Sequence, residues 1–275
     1  SATNYMLISA ETLGNSITLD MTGFSGTINT TGLGLLGDPD GIAGNATVNF
    51  GSFCTLNLTG TQVGDATVSV LIRSLTSGQN TVNAGGSTWN ISKDWSNYGV
   101  FNAGTSTVNF IGESTISGTG THSFNNVSIG TTATLTSYSG NVNVGGNWTN
   151  DGTLIANSGT ITFTGTGNIS GSTITTFNNL YLTTTGSVGL TADSIQINGT
   201  FDLSAAGTFD QGTGEIYLLG NMSKTSAFYY TSDGTIHFIG KTIQLYTSAG
   251  DYEKQNIGDI QISSSDINNP TTLRL

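Results

Sequence analysis

A fixed interval of 53 residues recurs through the middle of this chain. Trp95 and Trp148 keep it, and so do Phe110 and Phe163, Phe124 and Phe177, Val127 and Leu180, and Ile129 and Leu182. Five landmarks at one spacing mark a repeat array, in which each unit packs mainly on its neighbours and length no longer counts domains. The reference phrase, residues 146–182, reads GNWTNDGTLIANSGTITFTGTGNISGSTITTFNNLYL.

Two clear units run over about 87–140 and 141–193, and an irregular third over 194–262. Within the third, INGTFDLSAAGTFDQGTGEIYLLG repeats only the Trp half of the phrase, and GNMSKTSAFYYTSDGTIHFIG repeats it again with Met222 in the Trp place. A half-unit that can be inserted alone is a structural unit in itself. Its length, roughly 20–27 residues, suits one turn of a β-solenoid built from three short strands and three corners. The expected fold is therefore an all-β parallel β-solenoid with two coils per repeat interval. A β-sandwich is the alternative, although hairpin dipeptides such as Asp151-Gly152 are too few to join all the strands. Residues 1–86 match the phrase poorly and are expected to form an atypical N-terminal β region or cap, with the solenoid over 87–275. Thr271-Thr-Leu-Arg-Leu275 looks like a continuing strand.

Composition agrees. Charged residues make up 8% of the chain, against about 25% in ordinary domains, yet two prolines and 9% aromatics separate it from disordered sequence. Glycine, 39 in number, supplies corners, and every helical spacing of apolar residues is broken by one. No helix is predicted. Apolar runs such as Val68 to Ile72 fall far short of the roughly 18 residues needed for a membrane span. The net charge of −11, with six scattered Lys and Arg, argues against nucleic acid, which requires clustered cations. Ser1 in first place, without Met or a charged, apolar leader, fits either a removed signal peptide or a trimmed chain.

Parity assigns roles to several side chains. In Phe124-Asn-Asn-Val and Phe177-Asn-Asn-Leu the apolar spacing breaks at the Asn pair, which places structural corners at Asn125, Asn126, Asn178 and Asn179. An amide at such a corner could bond its counterpart one repeat away through an intervening residue. Of nine Asn-x-Ser/Thr sequons, about the number expected by chance, Asn57, Asn90 and Asn147 point outward and are possible glycosylation sites. Cys54 shares parity with Leu56 and Leu58 and reads as a small buried hydrophobe that forms no intrachain disulfide.

Catalytic chemistry finds little support. Asp202, Asp210, Glu215 and Asp233 lie near one another in repeat space, but the only arginines, Arg73 and Arg274, lie far from them along the chain, and isolated solvated acids are the plainer reading. Asp38 and Asp40 flank Pro39 in a turn, and a calcium site there would need a third carboxylate. His122 and His237 occupy different repeat positions with no second ligand at metal spacing. No cofactor, metal or enzymatic activity is expected.

The phrase GNWTNDGTLIANSGTITFTG followed by FNNLYL resembles the tandem β-repeats of large prokaryotic cell-surface and secreted proteins of adhesin or filament-forming type, over roughly 87–262 and most strongly over 95–182. The resemblance implies exposure outside the cell and a scaffold or adhesive role, with no catalytic residues to carry over. The expected function is an extracellular structural subunit of a filament, sheath or surface layer, whose partner is another copy of itself. Tyr5, Met6, Leu7 and Ile8 are the expected strand donated to a neighbour. Alternatives are a glycan-binding adhesin using Tyr229 and Tyr230, a polysaccharide-degrading β-helix and, more distantly, an ice-binding solenoid.

Overall fold

A computed structural model describes residues 5–9, 16–36, 45–60, 68–72, 80–205, 207–225, 228–240, 243–248, 259–262 and 272–274. The first strands set the pattern for the rest. β1 (Met6–Ser9), β2 (Ser16–Met21) and β3 (Gly26–Thr30) are followed by β4 (Leu33–Leu36), β5 (Asn45–Phe50) and β6 (Cys54–Leu58). β1 pairs with β4, β2 with β5 and β3 with β6, all parallel. One coil is thus three strands, and a strand bonds its backbone to the strand three places further on. The same rule governs pairing among the described residues as far as Tyr229–Thr231, beyond which Thr235–Phe238 pairs with Asp259–Ile262 and Ile243–Ser248 with Thr272–Arg274, two places on; the described pairs are parallel and helix is absent. The β-solenoid expected from the repeat is the fold, and the antiparallel hairpins that a sandwich requires do not occur among the described residues.

The chain divides into two compact units, Ser1–Tyr138 and Ser139–Leu275. In each, three parallel sheets form the faces of the coil. Coil length varies along the chain and can be read from the paired residues. From Thr88 to Thr107 it is 107 − 88 = 19, and from Trp95 to Ile116 it is 116 − 95 = 21. In the second unit Thr160 follows Asn141 by 19, and Met222 follows Phe201 by 21. The N-terminal coils are longer. Leu33 follows Met6 by 27, and Val70 follows Leu33 by 37. The described residues before Ser87 therefore share the topology of the rest and differ in coil length, which is why the repeat phrase is hard to find there.

One expectation is corrected. The repeat interval is not two coils. Trp95 lies on the tenth strand and Trp148 on the eighteenth, a difference of eight strands, and eight strands are two and two-thirds coils. The registers agree, because two and two-thirds coils of the observed lengths fill the interval from one Trp to the next. Local surroundings are nevertheless kept. Trp95 stands beside Ile116 and Trp148 beside Ile169, separated by the same interval. Asn97 and Asn150, both fully buried, each accept the backbone N–H of a glycine two residues on, Gly99 and Gly152.

Alternation decides the core. In Thr107–Phe110 and Glu215–Leu218 the second and fourth side chains are buried, as strand geometry demands of a sheet with one wet face. Each inward Leu, Ile or Phe contributes about 1.5–3 kcal/mol by leaving water. In the first unit edge-to-face rings form a continuous column, with Phe50 against Trp89 at 5.2 Å, Trp89 against Phe101 at 5.6 Å and Phe101 against Trp95 at 4.8 Å between centroids. Trp89 donates its Nε1–H to Ser87 Oγ at 2.7 Å, whereas Nε1 of Trp95 and of Trp148 has no acceptor.

Two repeat-related glycines are obligatory. Gly118 has φ of 107° and Gly171 of 127°, and a Cβ on either would sit 2.0 Å from the carbonyl oxygen of Asn97 or Asn150 in the preceding coil. Gly171→Ala should therefore lower stability by at least about 2 kcal/mol, as strain and backbone collision add. Gly23→Ala, with no atom within 4 Å of the new methyl, should be near neutral. Chemical denaturation of the two variants checks this, and equal midpoints would contradict it.

Candidate functional site

The first coil is the most unusual surface of the first unit. β1, β2 and β3 each pair on one side only among the described residues, because each stands at the end of its sheet. None contains Lys or Pro, the usual guards of an edge, and Asp20 is the only charge on them. Apolar side chains gather there. Leu7 and Ile17 are each 43% exposed, Phe24 is exposed in the β2–β3 corner, and Phe53 beside Cys54 in the next coil is 81% exposed.

Within the chain, the segment expected to be donated, Tyr5, Met6, Leu7 and Ile8, contributes the first strand of the solenoid. Met6 registers with Leu33 and Ile8 with Leu35, and Ile8 is buried in the chain's own core. A strand tethered a short way along the same chain acts at high effective concentration, so the intrachain partner wins over a second molecule. What β1 offers outward is its other edge.

Asparagine ladders run along the outward faces, a feature visible only once register is known. Asn57 donates to Asn29 Oδ1 at 2.7 Å, Asn90 to Asn57 at 2.7 Å and Asn109 to Asn90 at 2.8 Å. A second ladder joins Asn102 to Asn83 and Asn83 to Asn49, both at 2.7 Å. Donation runs one way, toward the N-terminal coil, so the first ladder ends on the amide of Asn29 in β3. A glycan on Asn57 or Asn90 would share the nitrogen that forms a rung. Asn147 is exposed, and its Oδ1 accepts the backbone N–H of Asn168 at 2.9 Å.

Of the four expected corner residues, Asn125 and Asn178 stand between strands, whereas Asn126 and Asn179 are the first residues of strands. Asn125 separates strands His122–Phe124 and Asn126–Ile129, and Asn178 separates Thr175–Phe177 and Asn179–Leu182. The amides of Asn126 and Asn179 reach Thr107 Oγ1 at 3.4 Å and Thr160 Oγ1 at 3.3 Å. The expected link ran to the counterpart Asn through an intervening residue, and the residue that each amide reaches one coil back is a Thr.

The acids do not converge. Asp202, Asp210 and Glu215 lie on three successive strands and so on three different faces. Asp202 accepts from Ser223 Oγ at 3.0 Å, and Asp210 accepts from Gly212 N at 3.1 Å and Thr231 Oγ1 at 3.1 Å. Glu215 bonds His237, whose ring stacks on Tyr217 at 4.6 Å and 12°. Among the described residues no three His, Cys, Asp or Glu are grouped to hold a metal. Asp38, Asp40 and Arg73 lie outside the described residues. Among the described residues no helix is long and apolar enough to cross a membrane. Tyr229 is exposed, but Tyr230 is fully buried with its hydroxyl on Gln211, which removes it from any glycan surface. Cys54 is buried, as its parity indicated, and burial pushes its thiol pKa up.

His122 is the one buried imidazole among the described residues, 1% exposed. Its Nε2 lies 3.2 Å from the Gly118 carbonyl, its ring meets Tyr138 at 4.5 Å, and its Nδ1 has no partner. Burial lowers its pKa below the ordinary 6.5, with the Gly118 carbonyl opposing. The unfolded chain then binds a proton that the folded chain refuses, so stability is full above pH 6.5 and falls as pH drops through the folded pKa. Thermal midpoints measured from pH 7.5 to 5 should fall more steeply for the wild type than for His122→Gln, and parallel slopes would contradict this. In comparisons with known proteins, no family model matches the chain, and no curated protein or solved structure is detectably similar to it.

Proposed function

We propose that the chain is an extracellular structural subunit that assembles with copies of itself by adding parallel strands to the edges of its first coil. The observation that carries this reading is the triple edge of β1, β2 and β3, unpaired on one side among the described residues, uncharged but for Asp20 and fringed by Leu7, Ile17 and Phe24. A strand edge offers backbone donors and acceptors in a fixed register, and a neighbouring apolar side chain adds about 25 cal/mol for each Å² it loses from water. The one-way ladder supports the same reading. The NH₂ of Asn29 points in the direction of donation and has no protein acceptor among the described residues, so an Asn or Asp of an incoming coil can extend it.

The remaining surface favours neutral, extended contact over chemistry. Outward positions are mostly Asn, Thr and Ser, and the acids are dispersed across faces. With a net charge of −11, copies repel at low ionic strength, so salt should promote assembly by screening.

Sedimentation and negative-stain microscopy at rising concentration test the proposal. Ordered oligomers or fibres are expected, appearing at lower concentration in 0.5 M than in 0.02 M salt. The double variant Leu7→Lys with Ile17→Lys should raise the concentration needed by about tenfold or more while leaving the circular dichroism spectrum unchanged. A monomer at every concentration, or a double variant that assembles as the wild type does, would sink it.

A further inference from the structure

The lateral hydrogen bonding of the first unit is interrupted at one place. Strand Val100–Asn102 pairs with Thr81–Asn83 on one side, but on the other side the next strand of that face, His122–Phe124, is not paired to it. A groove of about 520 Å³ occupies the break, within the range of about 300–1,000 Å³ found for small-molecule sites. Its walls are residues 98–103 of one coil and 119–121 with Ser123 of the next. Backbone atoms of the two strands still come within 8 Å, Cα to Cα. Inserting a further strand would require about twice the 4.8 Å strand spacing, so the groove is too narrow for one.

The groove is held open by the fold. Asn97 is fully buried, and it fastens both walls: its Oδ1 accepts from Gly99 N at 3.0 Å, its Nδ2 donates to Thr121 O at 3.0 Å, and its carbonyl accepts from Gly120 N at 2.9 Å. Gly118, with φ of 107°, stands just before the second wall. The break is a property of the repeat, because strands Thr153–Ile155 and Thr175–Phe177, each one repeat interval on, also adjoin without pairing. There, however, the slot is bridged. Asp151, in the place of Tyr98, accepts both N–H and O–H of Ser172 at 2.8 Å, and the apolar Ile155 and Ile174 replace Asn102 and Thr121.

The first groove differs from its copy in ways that point to a ligand. Tyr98, 42% exposed, presents an aromatic face at one end. Asn102 ends the second ladder, and its Oδ1 has no donor among the described residues. Thr119 and Thr121 contribute exposed hydroxyls, and no charged side chain lines the groove. An aromatic platform beside neutral donors and acceptors recognises rings that carry hydroxyl groups on their edges and C–H bonds on their faces. We propose that this groove binds a neutral saccharide, with Tyr98 stacking on a pyranose ring and Asn102 and Thr121 bonding its hydroxyls. The site is independent of the strand edges through which assembly is proposed.

Titration of the full chain with cellotetraose, maltotetraose and chitotetraose, followed by NMR and calorimetry, tests the site, with the anionic sialyllactose for comparison. At least one neutral tetrasaccharide should bind and shift the resonances of residues 98–103 and 119–123. Tyr98→Ala should weaken that binding by about tenfold with the thermal midpoint unchanged, and Tyr229→Ala should leave it intact. The proposal is overturned if none of the three binds at 10 mM, if sialyllactose binds more tightly, or if binding survives Tyr98→Ala or depends on Tyr229.

Discussion

Parallel backbone hydrogen bonding between strands of successive coils is the interaction from which the other features follow. It forces a coil to close after three strands, and it stacks equivalent parities so that inward side chains meet inward side chains. Trp89, Val108 and Val127 line up in consecutive coils for this reason, as do the outward rungs Asn57, Asn90 and Asn109. Because each strand is only three to six residues long, little stability resides in any one of them. The stack holds through neighbour contacts summed along its length.

The same interaction explains why a sequence repeat can run out of step with the coil. Each face offers an inward apolar row and an outward polar row, so a repeat unit gains nothing by returning to the face where it began. What must be preserved is the relation to the strand one coil away. The repeat interval preserves it, carrying Trp95 with Ile116 into Trp148 with Ile169 and Asn97 with Gly118 into Asn150 with Gly171. The paired breaks in lateral bonding travel with the repeat as well. In one of them Tyr98 and Asn102 leave an open groove, and in the other Asp151 bonds across to Ser172.

Much of the fold was legible in the sequence, because alternation and repeat spacing are direct consequences of strand geometry. The parallel solenoid, the absence of helix, the buried Cys54 and the bends at Asn125 and Asn178 all came from parity and repeat spacing. Register was not legible. Eight short strands divided over one repeat interval give no local sign of where a coil closes, and two coils of equal length satisfied the same landmarks. The Asn ladders were hidden for that reason, since Asn57 and Asn90 read as outward but not as neighbours. Tyr230 was misplaced because adjacent tyrosines leave parity ambiguous; its register with the buried Phe209 and its bond to Gln211, both in the preceding coil, set it inward. The groove at Tyr98 could not be foreseen, as a missing row of backbone hydrogen bonds has no residue signature.

Coil closure is tested most directly by cross-linking across one register. Asn109 and Ser128 face outward on adjacent parallel strands and are paired, one coil apart. Adjacent strands at about 4.8 Å satisfy the Cα spacing of a disulfide, about 4.4–6.8 Å. The variant Asn109→Cys with Ser128→Cys should oxidise quantitatively to an intrachain disulfide in the folded protein, while Asn109→Cys with Thr136→Cys, half a repeat interval apart, should remain reduced. The reverse outcome would mean that the coil closes on a half-repeat and would contradict the account.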